Sequence, residues 1–176
     1  RDALTQYGTE QLMQITALGN QYRPVCDILD ERAFVNGIVG LMATGGSTNL
    51  VLHLPAMART AGIELTLEDF DEISSVTPLM AKVYPNGLAD VNHFHAAGGL
   101  SYMIGELLDG GLLHRDVKTV VGDGLDHYQT EPKLTEAGIE FHPTPAESLN
   151  QKILRPPSDP FQTSGGLKQL SGNLGQ

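Results

Sequence analysis

The chain has 176 residues, 40% of them hydrophobic and 18% charged, which suits one ordinary domain with a real core and argues against a disordered segment. With 21 acidic residues against 11 basic, its formal charge of −10 excludes a basic face that wraps a nucleic-acid backbone, but not a small anionic substrate held by a few local donors. A single cysteine, Cys26, allows no internal disulfide and no multi-cysteine metal site, fits a reducing compartment, and reads as a packed thiol; no apolar run reaches the roughly 20 residues of a membrane span.

Asp2 to Leu18 has helical spacing, with Leu4, Leu12, Ile15 and Leu18 expected to be buried; Gly19-Asn20 ends it. Asp30-Glu31-Arg32 opens a helix over Ala33 to Ala43, whose Phe34, Ile38, Leu41 and Met42 form one apolar face with Val35 and Val39 beside it. Gly37 and Gly40 each cost that helix about 1 kcal/mol relative to Ala, which close approach of another backbone would explain, with a loosely packed helix as the alternative.

Thr44-Gly45-Gly46-Ser47-Thr48-Asn49 is the most informative stretch. Two glycines let the chain turn, and Ser47, Thr48 and Asn49 all suit a helix N-cap. A helix opening there leaves main-chain amides free at the positive end of its dipole, an arrangement that suits a carboxylate or phosphate. A purely structural corner between two core helices is the competing reading. No lysine precedes Ser47-Thr48, so the motif is not a nucleotide P-loop. The helix that follows, Thr48 to Ala61, contains Pro55 and is expected to kink there; His53 reads as a packed histidine.

Thr66-Leu67-Glu68-Asp69 is a capping box with Asp in the third position, and Leu65 and Phe70 fit the hydrophobic staple around it. Thr77-Pro78 closes that helix, Ala81 to Tyr84 reads as a short strand, and Pro85-Asn86-Gly87 as a turn. Asp90 caps a short helix through Ala97, stopped by Gly98-Gly99, and Leu100 to Leu108 forms the next, stopped by Gly110-Gly111. Val117 to Val121 reads as a strand, Gly122-Asp123-Gly124 as a turn, and Leu125 to Tyr128 as the start of a short helix. Prolines recur from Glu131 to Phe161, which reads as an irregular surface connector. Ser164-Gly165-Gly166 and Gly172-Asn173-Leu174-Gly175 read as turns opening a further unit, and the chain reads as an inner portion of something longer.

His93 and His95 would share a face on a strand, but on a helix they point about 200° apart, which argues against a metal pair. Asn92 and His93 follow a cap and can reach a polar pocket at that helix start, with a solvated surface as the alternative.

Thr44 to Asn49, followed by Leu52-His53-Leu54-Pro55-Ala56, resembles the middle of the dehydratase family that includes dihydroxy-acid and 6-phosphogluconate dehydratases. Val83 to Gly87, Ala89 to Phe94, Ala96 to Gly99, Asp30 to Arg32 and Gly110 to His114 resemble its phosphogluconate branch, and Ile153 to Pro156 with Gly172 to Leu174 resemble the link into a second domain. The resemblance implies a helix-rich α/β fold: part of the N-terminal domain of a two-domain dehydratase over 1–130, then a Pro-rich connector and the start of the second domain over 131–176. It implies an iron–sulfur hydro-lyase, cytoplasmic and homodimeric, that dehydrates 6-phospho-D-gluconate. The cluster, 4Fe-4S, and a divalent metal would take their ligands from outside this segment, which would be inactive alone. Gly46, Ser47, Thr48, Asn49, Asn92 and His93 would help bind a small anionic sugar acid; no catalytic or metal-ligating role transfers to any residue here, Cys26 included. Leu88 stands where family members often carry a basic residue, so no anion contact is assigned to it. The rival expectations are a dehydratase of an unphosphorylated sugar acid or dihydroxy acid, and a non-catalytic helical scaffold at a subunit interface.

Overall fold

The computed structural model describes residues 2–173; of the Gly172 to Gly175 turn, Leu174 and Gly175 lie outside the described residues. Seven helices and one two-stranded sheet are present among them: α1 (Asp2–Ile15), α2 (Val25–Ile28), α3 (Glu31–Thr44), α4 (Asn49–Thr60), α5 (Leu67–Val76), α6 (Val91–Ala96), α7 (Gly99–Asp109), β1 (Thr130–Thr135) and β2 (Gly138–Pro143). The expected helix-rich α/β character with short strands is what the fold has.

The organising element is α3. Asp30 starts it, accepting a hydrogen bond from the Ala33 amide at 2.8 Å, and its carboxylate is also held by Arg32. From α3, Ile38, Leu41 and Met42 pack against Phe70 of α5, with Val51 and Leu54 of α4 alongside. From its other side, Val39 and Ala43 pack against Met80, Ala81, Phe94 of α6, Met103 and Leu107 of α7, and Leu154. One helix thus feeds two apolar clusters, which is why its sequence is apolar over more than one stripe.

The capping box at α5 forms in both directions: Thr66 Oγ1 accepts from the Asp69 amide, and Asp69 Oδ2 accepts from the Thr66 amide at 2.7 Å. Leu65 and Phe70 join the same apolar cluster, as the staple requires. Helix α4 stays helical across Pro55.

Several expectations need correction. Helix α1 buries none of its residues, and Leu4, Leu12 and Leu18 are exposed with Ile15 only half-buried; its ring contact with the sheet is Tyr7 on Phe141, centroids 5.6 Å apart. An apolar stripe is buried only where something covers it, and the described residues offer α1 little. Close backbone does not explain Gly37 and Gly40: a Cβ on Gly37 would meet only Leu54 Cδ2 at 3.9 Å, and one on Gly40 would meet nothing within 4 Å. Cys26 is exposed on the four-residue α2, not packed.

Ala81 to Tyr84 is extended but forms isolated bridges, Ala81 with Leu154 and Val83 with Ala89, and no regular strand. Val117 to Val121 likewise yields only the Lys118–Asp123 bridge, and the turn after it leads into a short 3-10 helix, Asp126–Gln129. The proline-rich stretch is more ordered than expected. Residues 130–143 form an antiparallel hairpin with Thr130 opposite Pro143 and Thr135 opposite Gly138. Both strands of a two-stranded sheet are edges, so Pro132 and Pro143 can lack an N–H without breaking a central ladder. Further on, the chain docks on the core: Arg155 N donates to Met80 O, Phe161 N to Leu79 O, Gly166 N to Met42 O, and Leu154 is fully buried.

Candidate functional site

Helix α3 ends at Gly45, whose φ of 59° is the left-handed conformation a Cβ disfavours and whose amide closes the last turn on Leu41 O. The Gly46 amide also donates to Leu41 O, at 3.3 Å. Leu50 N then donates to Ser47 O at 3.1 Å and Val51 N to Thr48 O at 3.0 Å, so Ser47 to Leu50 is a turn that becomes the first turn of α4. Ser47 Oγ accepts from the Asn49 amide at 3.2 Å, while the Thr48 side chain makes no cap bond. Of the four amides from Gly46 to Asn49, those of Gly46 and Asn49 are spoken for. Those of Ser47 and Thr48 have no partner among the described residues, and both residues are exposed. The corner is therefore not sealed under apolar side chains, as a pure scaffold would have it.

The paired glycines have a packing cause as well. A Cβ on Gly45 would overlap the Asn86 amide nitrogen, and one on Gly166 would overlap Gly45 itself. Gly165 is equally tight, with Ser74 Oγ and Met42 Cβ within 2.8 Å of where its Cβ would be. The Gly45-Gly46 corner, the Asn86 turn and Gly165-Gly166 thus interlock. Asn86 Nδ2 donates to Ala81 O at 3.2 Å, which fixes the turn that leads on to α6.

At α6, Asp90 Oδ1 accepts from the Asn92 and His93 amides, both at 2.9 Å. The His93 amide first, and the imidazole with it, hold the Asp90 carboxyl below its ordinary range. His93 Nδ1 lies 2.8 Å from Asp90 Oδ1 and 3.4 Å from Asp90 N. A protonated ring donates to the carboxylate there; a neutral one lacking the Nδ1 proton accepts from the amide. Asn92, His93 and His95 are all exposed, and so is His53, which was expected to be packed but sits on the outer side of α4.

Thr48 and Asn49 line one rim of a groove of about 410 Å³ between α4 and α5. Most of its lining is apolar, from Met42, Val51, Leu52, Leu67, Phe70 and Leu167, and Asp71, Lys168 and Gln169 complete it. Neither Ser47 nor Asn92 nor His93 lines it, so the six expected residues do not gather in this one cavity. Lys168 Nζ sits 2.7 Å from Asp71, whose carboxyl is held low chiefly by that hydrogen bond, and Gln169 N also donates to Asp71. The sequence places Asp71 with Glu68, Asp69 and Glu72 on a solvated helix face, and the structure instead pairs it with Lys168, which the sequence does not single out. The available signal was Gly165-Gly166, a further glycine pair two residues before the lone cation of the last 21 residues.

The family model described as dihydroxy-acid/6-phosphogluconate dehydratase N-terminal matches residues 1–128, and the chain belongs to that dehydratase family. Over its full length it is 56% identical to the phosphogluconate dehydratase of Rhizobium meliloti (strain 1021) and 49% identical to that of Escherichia coli (strain K12), spanning 29% of each relative. It is also 43% identical, over 84% of its length, to the dihydroxy-acid dehydratase of Roseiflexus sp. (strain RS-1), of which the match covers 24%.

Proposed function

We propose that the full-length protein is a hydro-lyase that converts 6-phospho-D-gluconate into 2-dehydro-3-deoxy-6-phosphogluconate and water. The observation that carries the substrate choice is the 56% identity to a phosphogluconate dehydratase over the entire chain, against 43% over 84% of it for a dihydroxy-acid dehydratase. The reaction removes the proton from the carbon beside the carboxylate and breaks the neighbouring C–O bond; hydroxyl and proton leave as water, and the enol left behind ketonises.

This segment's part is to bind and orient. The Ser47 and Thr48 amides, without a partner among the described residues and on exposed residues at the start of α4, suit oxygens of a carboxylate or phosphate. Gly46 and the Asn49 side chain shape the same corner, and Asn92 and His93 present a polar surface on α6 beyond the Asn86 turn.

A 4Fe-4S cluster and a divalent metal are the cofactors the family likeness implies. The residues described do not fit either group: no three of His, Cys, Asp and Glu come together among them, and Cys26 stands by itself on the surface. We assign cofactor ligands and the proton-abstracting base to the rest of the full-length chain, and expect this segment alone to be inactive.

We read 1–130 as part of the N-terminal domain and 131–176 as the passage toward a second; the docking of Leu154 makes that passage part of the first domain's packing. No described helix is long and apolar enough to cross a membrane. A cytoplasmic homodimer completes the reading, and light scattering of the purified full-length protein tests the dimer. Turnover of the full-length protein on 6-phosphogluconate, gluconate and a 2,3-dihydroxy acid tests the activity. Preference for the phosphorylated acid is expected; equal or faster turnover of either other substrate overturns the assignment.

A further inference from the structure

We propose that the groove between α4 and α5 is a docking surface for another part of the same chain: an apolar segment that follows residue 176 in the full-length protein. The walls give the first reason. Leu52 is 71% exposed and Leu67 50% exposed, and both line one cavity with the buried Met42 and Phe70. Large apolar groups left open around one concavity mark a surface that something covers.

The rims give the second. The one cation lining the groove, Lys168, is already paired with Asp71, which also takes the Gln169 amide, so the groove's interior offers little to hold a phosphorylated sugar acid. The groove therefore suits carbon over most of its lining, with Thr48 and Asn49 as its polar edge toward the Ser47 corner.

The occupant follows from length and tethering. The family match describes an N-terminal part, and the chain spans 29% of its phosphogluconate dehydratase relatives, so the full-length protein has further chain to place. Leu167, Lys168 and Gln169 themselves form a wall of the groove. Whatever follows is tethered beside it, and a tethered segment binds at high effective concentration without paying again for association. Helix α1, at the other end of the described residues, packs on the hairpin and not on this groove. An amphipathic helix or strand seating two apolar anchors beside Leu52 and Leu67 is the fitting partner.

The test uses the full-length protein with a benzophenone amino acid at Leu52 and, as a control, at the exposed Glu10 of α1. Irradiation and peptide mapping should give a cross-link from position 52, within one chain, to a peptide beyond residue 176. A cross-link to a second copy, seen at doubled mass, overturns the proposal, as does cross-linking no stronger than from position 10. If the bulky group prevents folding, Leu52→Cys decides instead. Its maleimide labelling should be at least tenfold slower in the native than in the unfolded protein, at every protein concentration. Equal rates, or protection lost on dilution, overturn it. Neither readout involves turnover, so the outcome is independent of the activity proposed above.

Discussion

Gly166 lies directly against Gly45: a Cβ on Gly166 would overlap the Gly45 Cα and stand 3.0 Å from its nitrogen. The Gly166 amide donates to Met42 O at 2.9 Å, so the strap cannot retreat without giving up a buried hydrogen bond. Gly166→Ala in the full-length protein is expected to destabilise it by about 1–3 kcal/mol, the usual range for overpacking, because the obstacle is backbone and not a flexible side chain. Thermal and urea unfolding check this, and a variant with the wild-type midpoint would mean the two loops do not interlock.

The opposite outcome is expected at Gly40. It sits inside α3 with open space where its Cβ would be, so Gly40→Ala removes backbone freedom from the unfolded chain at no steric cost. A gain of about 0.5–1 kcal/mol should appear as a higher unfolding midpoint. A clear loss would show that a subunit or another part of the full-length chain packs on that face.

The local chemistry of this fold was legible and its long-range pairing was not. Thr66 with Asp69, and Asp90 with His93, announce helix starts because each cap is a contact between residues three apart. The α3 core positions were equally plain, since apolar spacing on a helix that is covered on both sides reports burial directly. The same spacing misled at α1, where periodicity showed a stripe but no cover. The hairpin at 130–143 was hidden because its prolines read as loop punctuation, and edge strands tolerate them. At the candidate site the Gly45-Gly46 corner was visible, but the approach of Gly166 and Lys168 was not. Residues 120 positions apart leave no periodic trace in one sequence.

The Thr48 amide can be deleted with little disturbance. Its φ of −58° and ψ of −18° are those of the second residue of a type I turn, where proline is favoured, and Leu50 N still closes the turn on Ser47 O. Thr48→Pro in the full-length protein is therefore expected to keep its unfolding midpoint while raising KM for 6-phosphogluconate by roughly fivefold or more, the loss of about 1 kcal/mol in one hydrogen bond to an anion. Steady-state kinetics beside a melting curve check this. Unchanged KM with unchanged stability would remove the amide from the binding surface.

Glu106 in α7 offers a pH-dependent test. Burial first, and Asp109 three residues on, push its carboxyl above the ordinary 4.5. The folded protein then binds that proton more tightly than the unfolded chain. Its contribution to stability is fully present below the unfolded value and is lost as pH rises through the folded one. Aspartates held low run the other way: Asp71 and Asp123, hydrogen-bonded to Lys168 and Arg23, contribute stability above 3.8 that is lost as pH falls through their folded values. Comparing wild type with Glu106→Gln cancels those shared terms. The variant should melt higher than wild type at pH 7, and the advantage should shrink toward pH 4, where the native carboxyl is protonated in both folded and unfolded chains. Equal melting points at both pH values, or a larger advantage at pH 4, would show that Glu106 feels neither its burial nor Asp109.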